Sequence, residues 1–145
     1  MPRDLWVLPW AETRYPRELA KLRARFPSDF GRPTDVYRSS PRIRGNAYAV
    51  GEFRDEWGCV FTSIHEGIIG EVKKPQIARV YDWHSVQPPY ETLPTEYAAS
   101  RDRVNRSCAE SDKFILANCC PRPWERYQFL RGTMNAMMDV MQPDR

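Results

Sequence analysis

Glycine and histidine are scarce in this chain, at 7 and 2 of 145 residues. Lysine is nearly missing from the basic set, which holds 18 Arg against 4 Lys. Few glycines beside 13 prolines exclude long loose linkers and indicate many fixed corners. No apolar run approaches the ~20 residues that cross a bilayer. MPRDLWVLPW has no long apolar core of a secretory leader, so the expected location is the cytoplasm, where four cysteines are expected as free thiols. There is no G-x-G-x-x-G, no P-loop, no Ser-His-Asp order and no H-E-x-x-H. No internal repeat or low-complexity tract is present.

What is there fits one ordinary domain with a core, since 41% of the residues are hydrophobic and 28% charged. The net charge of +3 is too balanced for a nucleic-acid surface. Arginine forks grip carboxylates and phosphates, so the arginine excess admits an anionic substrate as well as a plain bias of composition.

Along the chain, Leu5 to Leu8 reads as a short buried strand ending at Pro9. In ETRYPRELAKLRARF, Tyr15, Leu19, Leu22 and Phe26 step along one helical face, with Pro16 suited to a first turn. Residues 28–46 look irregular. From Ala47 to Val72, AYAVGEF, WGCVFTSI and GIIGEV are β-type, with a hairpin corner at His65, Glu66 and Gly67. Lys73 to Pro94 reads as a long connection. A second helix is expected over Glu96 to Ser111, with Tyr97, Val104 and Cys108 inward. FILAN, from Phe114, reads as a strand covered on both faces. Beyond Pro121 and Pro123, the spacing of Tyr127, Leu130, Met134, Met137 and Met141 predicts one amphipathic helix. Strands alternating with helices imply a parallel α/β architecture with a β-rich insertion at about 47–73. Only two strands look like buried parallel ones, so 1–145 reads as a single partial domain.

Candidate chemistry is sparse. Cys119 and Cys120 are adjacent, not at the C-x2-4-C spacing of a zinc site, and Cys59 and His65 make no metal signature. No base stands near a thiol to activate it. A strand-end corner therefore competes with any reactive role. Asp55 and Glu56 in FRDEWG are a candidate carboxylate pair. Neighbours on a strand point to opposite faces, so at most one would face a cleft. The alternative is a polar turn before Trp57. Arg14 follows the first expected strand, at the end where parallel sheets bind ligands.

Three blocks carry a family resemblance: LWVLPWAETRYPRELAKLR, FRDEWG and FILANCCPRPWERYQFLRGTMNAMMDVM. They resemble, in order and rough spacing, the first strand with its R-Y-x-P-E motif, the F-S-D aspartate and the third-strand region of the uroporphyrinogen decarboxylase superfamily. The resemblance spans nearly the whole chain and implies the N-terminal third of a TIM (β/α)8 barrel with a β-hairpin insertion. It implies an enzyme, either decarboxylase or corrinoid methyltransferase-like, acting on a tetrapyrrole or a methyl-corrinoid-type substrate. Asp55 would be catalytic, contacting pyrrole nitrogens, and Arg14 would belong to a substrate-carboxylate clamp. Trp10, Cys119 and Cys120 would line the substrate side. Pro9 and Trp10 replace the first clamp arginine, which tilts the resemblance to the methyltransferase-like branch. Zinc and a corrinoid would belong to the complete family protein, with no cofactor or metal held in this chain. The implied partner is a small tetrapyrrole or a corrinoid protein, with no nucleic acid and no membrane, and self-association is expected from uncovered strand edges. The other reading, from a different class, is a catalytically silent binding or assembly module, or a truncated product.

Overall fold

The computed structural model describes residues 1–117 and 122–142. The chain is mixed α/β and divides into two compact units, Met1–Arg38 with Glu91–Cys120, and Ser39–Tyr90 with Pro121–Arg145.

The first unit opens without a strand. Leu5 and Trp6 are 42% and 74% exposed and pair with nothing as a ladder. The expected strand over Leu5–Leu8 is replaced by an irregular entry into α1 (Pro9–Arg14). Pro9 starts that helix because its fixed φ and missing N–H suit a first turn. Pro16 does the same for α2 (Pro16–Arg25), so two prolines cut the predicted helix into two. Of its apolar stripe only Leu19 is buried, while Tyr15, Leu22 and Phe26 stay exposed.

The sheet of this unit is two residues wide along each strand. β1 (Phe30–Gly31) pairs in parallel with β5 (Phe114–Ile115). Phe114 N–H donates to the Asp29 carbonyl and Leu116 N–H to the Gly31 carbonyl, at 3.2 and 3.0 Å. The Phe30 and Phe114 rings meet edge to face at 5.9 Å. FILAN was expected to be covered on both faces; among the described residues Phe114 and Leu116 are instead exposed, and the β1–β5 sheet has only two strands. α3 (Tyr97–Ala109) lies within the span expected for the second helix. It buries Ser100 rather than Tyr97, which is exposed.

The second unit holds the hydrophobic core. An antiparallel meander runs β2 (Gly51–Arg54), β3 (Val60–Ser63) and β4 (Glu71–Val72), with Phe53 opposite Phe61 and Phe61 opposite Val72. Cys59, Phe61, Ile77 and Leu130 form the buried cluster, with Phe53, Trp57, Val72, Val86 and Phe129 packed around it. Residues 80–85 and 90–92 form short 3-10 turns. After Pro123 the single predicted helix becomes two, α4 (Pro123–Arg131) and α5 (Thr133–Met141). Gly132 separates them at φ 80°, a conformation that glycine adopts without a Cβ penalty. The break turns the methionines outward: Met134 and Met141 are exposed, and Ala136 is the buried residue of α5. Among the described residues no helix is long and apolar enough to cross a membrane.

Candidate functional site

FRDEWG folds as a turn, not as a continuing strand. Beyond Arg54, the end of β2, the Asp55 side chain caps its own loop. Its Oδ1 accepts the Trp57 and Cys59 N–H groups at 3.0 and 2.8 Å. Its carbonyl accepts the Gly58 N–H at 3.0 Å and its N–H donates to the Cys59 carbonyl at 3.1 Å. An aspartate satisfying successive backbone donors in this way is the physical reason for the turn. The alternation argument that separates Asp55 from Glu56 therefore does not apply, because these residues are not extended.

Arg126, one turn into α4, grips both. Its Nη1 lies 2.5 Å from Asp55 Oδ2 and its Nη2 lies 3.3 Å from Glu56 Oε1. The guanidinium sits 5.2 Å from the Trp57 ring centroid and 5.5 Å from that of Phe129, contacts that favour a cation over an aromatic face. Asp55 is 5% exposed, and the Arg126 and Glu56 side chains are 24% and 31% exposed. A buried carboxylate needs such partners, since an unpaired one would cost several kcal/mol. The Cys59 thiol stands directly behind the turn. Burial, and then the Asp55 charge, push it up to about 12, so it stays protonated at neutral pH and is no nucleophile.

A second arginine clamp lies on the next turn of α4. Arg131 is buried. Its Nη1 donates to the Ile77 carbonyl at 3.0 Å and to that of Ala78. Its Nε and Nη2 hold the Asp139 carboxylate of α5 at 2.7 and 3.1 Å, and the Tyr127 hydroxyl donates to the same carboxylate at 2.6 Å. These donors hold the Asp139 carboxyl well below the usual range, at about 2, the Arg131 hydrogen bond leading and Tyr127 following. Burial and the Asp139 carboxylate raise the Tyr127 hydroxyl. Every group in this cluster is matched, so it locks α4, α5 and the chain at 77–78 together rather than offering an open valence.

The remaining predicted residues belong to the first unit or lie outside the described residues. Arg14 ends α1 and Trp10 is its second residue, in the first unit. Trp10 is 46% exposed and packs edge to face on Tyr15 at 6.2 Å. Arg14 is exposed, and among the described residues it makes no ion pair. Asp55 belongs to the second unit. Cys119 and Cys120 lie outside the described residues. Among the described residues no three of His, Cys, Asp and Glu converge as a metal ion would need. Arg126 and Arg131 are the residues missed by sequence reasoning. The available signal was their spacing: Arg126 stands four before Leu130, and Arg131 four after Tyr127, so both flank the apolar stripe instead of opposing it.

Comparison with known proteins gives no matching family model, no similar curated protein and no similar solved structure.

Proposed function

We propose that this chain is the N-terminal segment of an enzyme of the uroporphyrinogen decarboxylase superfamily, acting on a tetrapyrrole or a methyl-corrinoid-type substrate in the cytoplasm. The observation that carries the reading is the parallel pairing of β1 with β5 across a long crossover. Parallel strands belong to sheets covered on both faces, and this pair leaves Phe114 69% exposed. Such a pair fits two strands of a larger parallel sheet, as in a (β/α)8 barrel. The blocks that carry the family resemblance add support, since FRDEWG and PRPWERYQFLRG are clamped together through Arg126, Asp55 and Glu56. By the resemblance, a zinc ion and a corrinoid would be held by other parts of the family protein. Arg14, exposed at the end of α1, is the cation that the resemblance assigns to hold an anionic substituent.

The test is a calorimetric titration of the protein with an octacarboxylate porphyrinogen, kept reduced, and with methylcobalamin. Saturable binding of either one is expected. Arg14→Ala should weaken the porphyrinogen complex by roughly 1.5–3 kcal/mol, the worth of a charge-assisted contact. Heat of binding from neither ligand would overturn the proposal. A second reading is a catalytically silent binding or assembly module. It is favoured by the exposed apolar face of α5, where Met134, Val140 and Met141 are 77%, 61% and 78% exposed. Under that reading both titrations are blank and the protein associates with itself or a partner.

A further inference from the structure

Residues 34–38 of the first unit are tied down at both ends. The Thr34 N–H donates to Ser107 Oγ of α3 at 3.1 Å. The Arg38 N–H donates to the Thr92 carbonyl at 2.8 Å, and its Nε donates to the Leu93 carbonyl at 3.0 Å. Between these anchors Asp35 Oδ1 accepts the Tyr37 N–H at 2.9 Å, so the bend that carries Val36 and Tyr37 is held by its own side chain. Val36, Tyr37, Leu93 and Pro94 line a cavity of about 320 Å³ together with α3. The α3 residues that line it are Tyr97, Ser100, Arg101 and Val104, at the i, i+3, i+4, i+7 spacing of one helix face. The walls are therefore preformed, and the volume falls at the small end of the ~300–1,000 Å³ of ligand pockets.

The chemistry of the lining selects the ligand. Aliphatic side chains supply most of the wall, and two tyrosines add rings that pack well on another aromatic ring. Tyr37, Leu93 and Tyr97 are all exposed, and large apolar side chains gathered on one concave surface mark an interaction site. Among the described residues that line the cavity only Arg101 is charged. A ligand cation would be repelled there, and a carboxylate would be matched. The present partner of Arg101 is its chain neighbour: Nε and Nη2 both reach Asp102 Oδ1 at 3.2 Å. Those side chains are 60% and 59% exposed. A solvated pair of this kind contributes little, so a carboxylate held over the cavity can take the guanidinium from it. We propose that this cavity binds a small aromatic monocarboxylate, with its ring among Tyr37, Leu93, Tyr97 and Val104 and its carboxylate on Arg101. The proposal does not rest on the tetrapyrrole reading.

The experiment titrates the full chain with naphthoate and with its uncharged counterpart naphthamide, by calorimetry. Naphthoate is expected to bind saturably, and naphthamide about tenfold more weakly, the loss of one charge-assisted contact. Arg101→Gln should melt like the wild type and bind naphthoate about tenfold more weakly, with naphthamide unchanged, so that the two ligands become equal. Val104→Phe should fill the cavity and remove binding of both. Tyr97→Ala, at an exposed position that the fold does not need, should weaken both and keeps the test open if Val104→Phe unfolds. Backbone amide shifts on adding naphthoate, followed by heteronuclear NMR, should centre on residues 36, 37, 93 and 97–104. No saturable binding of naphthoate, wild-type affinity for it in Arg101→Gln, or shifts centred on other residues would overturn the site. A blank porphyrinogen titration removes the tetrapyrrole reading alone.

Discussion

The antiparallel meander β2–β4 and the parallel pair β1–β5 are both built from phenylalanine-bearing strands, yet one encloses its rings and the other displays them. Phe61 is 3% exposed and Phe114 is 69% exposed. Antiparallel neighbours need only short turns, so residues 51–72 can fold back and bury a face within one local segment. Parallel neighbours need a crossover, and a buried parallel strand needs cover on two sides. The same residue type therefore contributes stability in one region and an open surface in the other.

The largest test of that comparison is a pair of substitutions. Phe61→Ala should destabilise the protein by about 3–5 kcal/mol, the usual cost of removing a buried phenylalanine. Phe114→Ala should change stability by no more than about 0.5 kcal/mol, as at most exposed sites. Urea unfolding of both would measure it, and similar losses would erase the contrast between the two regions.

Arg131→Ala comes next, at about 3 kcal/mol, because it strands Asp139 and two carbonyls in a mostly buried setting. The same clamp gives a pH dependence. Asp139 titrates at about 2 in the folded protein against an ordinary 3.8. Its carboxylate therefore contributes stability that is fully present above about pH 4 and is lost as pH falls toward 2. Acid unfolding of Asp139→Asn should show a shallower loss across that window, and an unchanged acid limb would contradict the ion pair.

A smaller effect is expected at the helix break. Gly132→Ala should cost about 1–2 kcal/mol, since φ 80° strains any residue with a Cβ. That Cβ would also sit 3.2 Å from Pro75 Cγ. A stabilised variant in thermal melts would mean that α4 and α5 want to be one helix. The smallest perturbation is chemical labelling. Cys59 is buried and held protonated to about 12, whereas Cys108 is half-buried. A maleimide should therefore modify Cys108 well before Cys59 in native protein, and the reverse order would place the thiol outside the core.

Much of the local plan was legible. The β-type stretches at 47–72 carry three antiparallel strands, and helices lie within 9–25, 97–109 and 123–141. Those features follow from periodicity and from proline at first turns. The site was only partly legible. FRDEWG drew attention as a carboxylate pair, but strand alternation was applied to residues that form a turn. Arg126 and Arg131 read as ordinary charged positions of an amphipathic helix, because nothing in a one-dimensional pattern says which arginine will meet a buried carboxylate 71 residues away.

By itself, then, the sequence determined most of the alternation of helices and strands and the corners set by its prolines, whereas the break at Gly132 went unread because the apolar spacing runs straight across it. The former depend on neighbours within a few residues. Only the tertiary structure decided which strands pair, that Phe30–Gly31 rather than Leu5–Leu8 meets Phe114–Ile115, and that one arginine ties Asp55 to Glu56. Those outcomes depend on desolvation: a charge, or an exposed strand edge, is settled by whatever distant group arrives to cover it, and local pattern carries no record of that group.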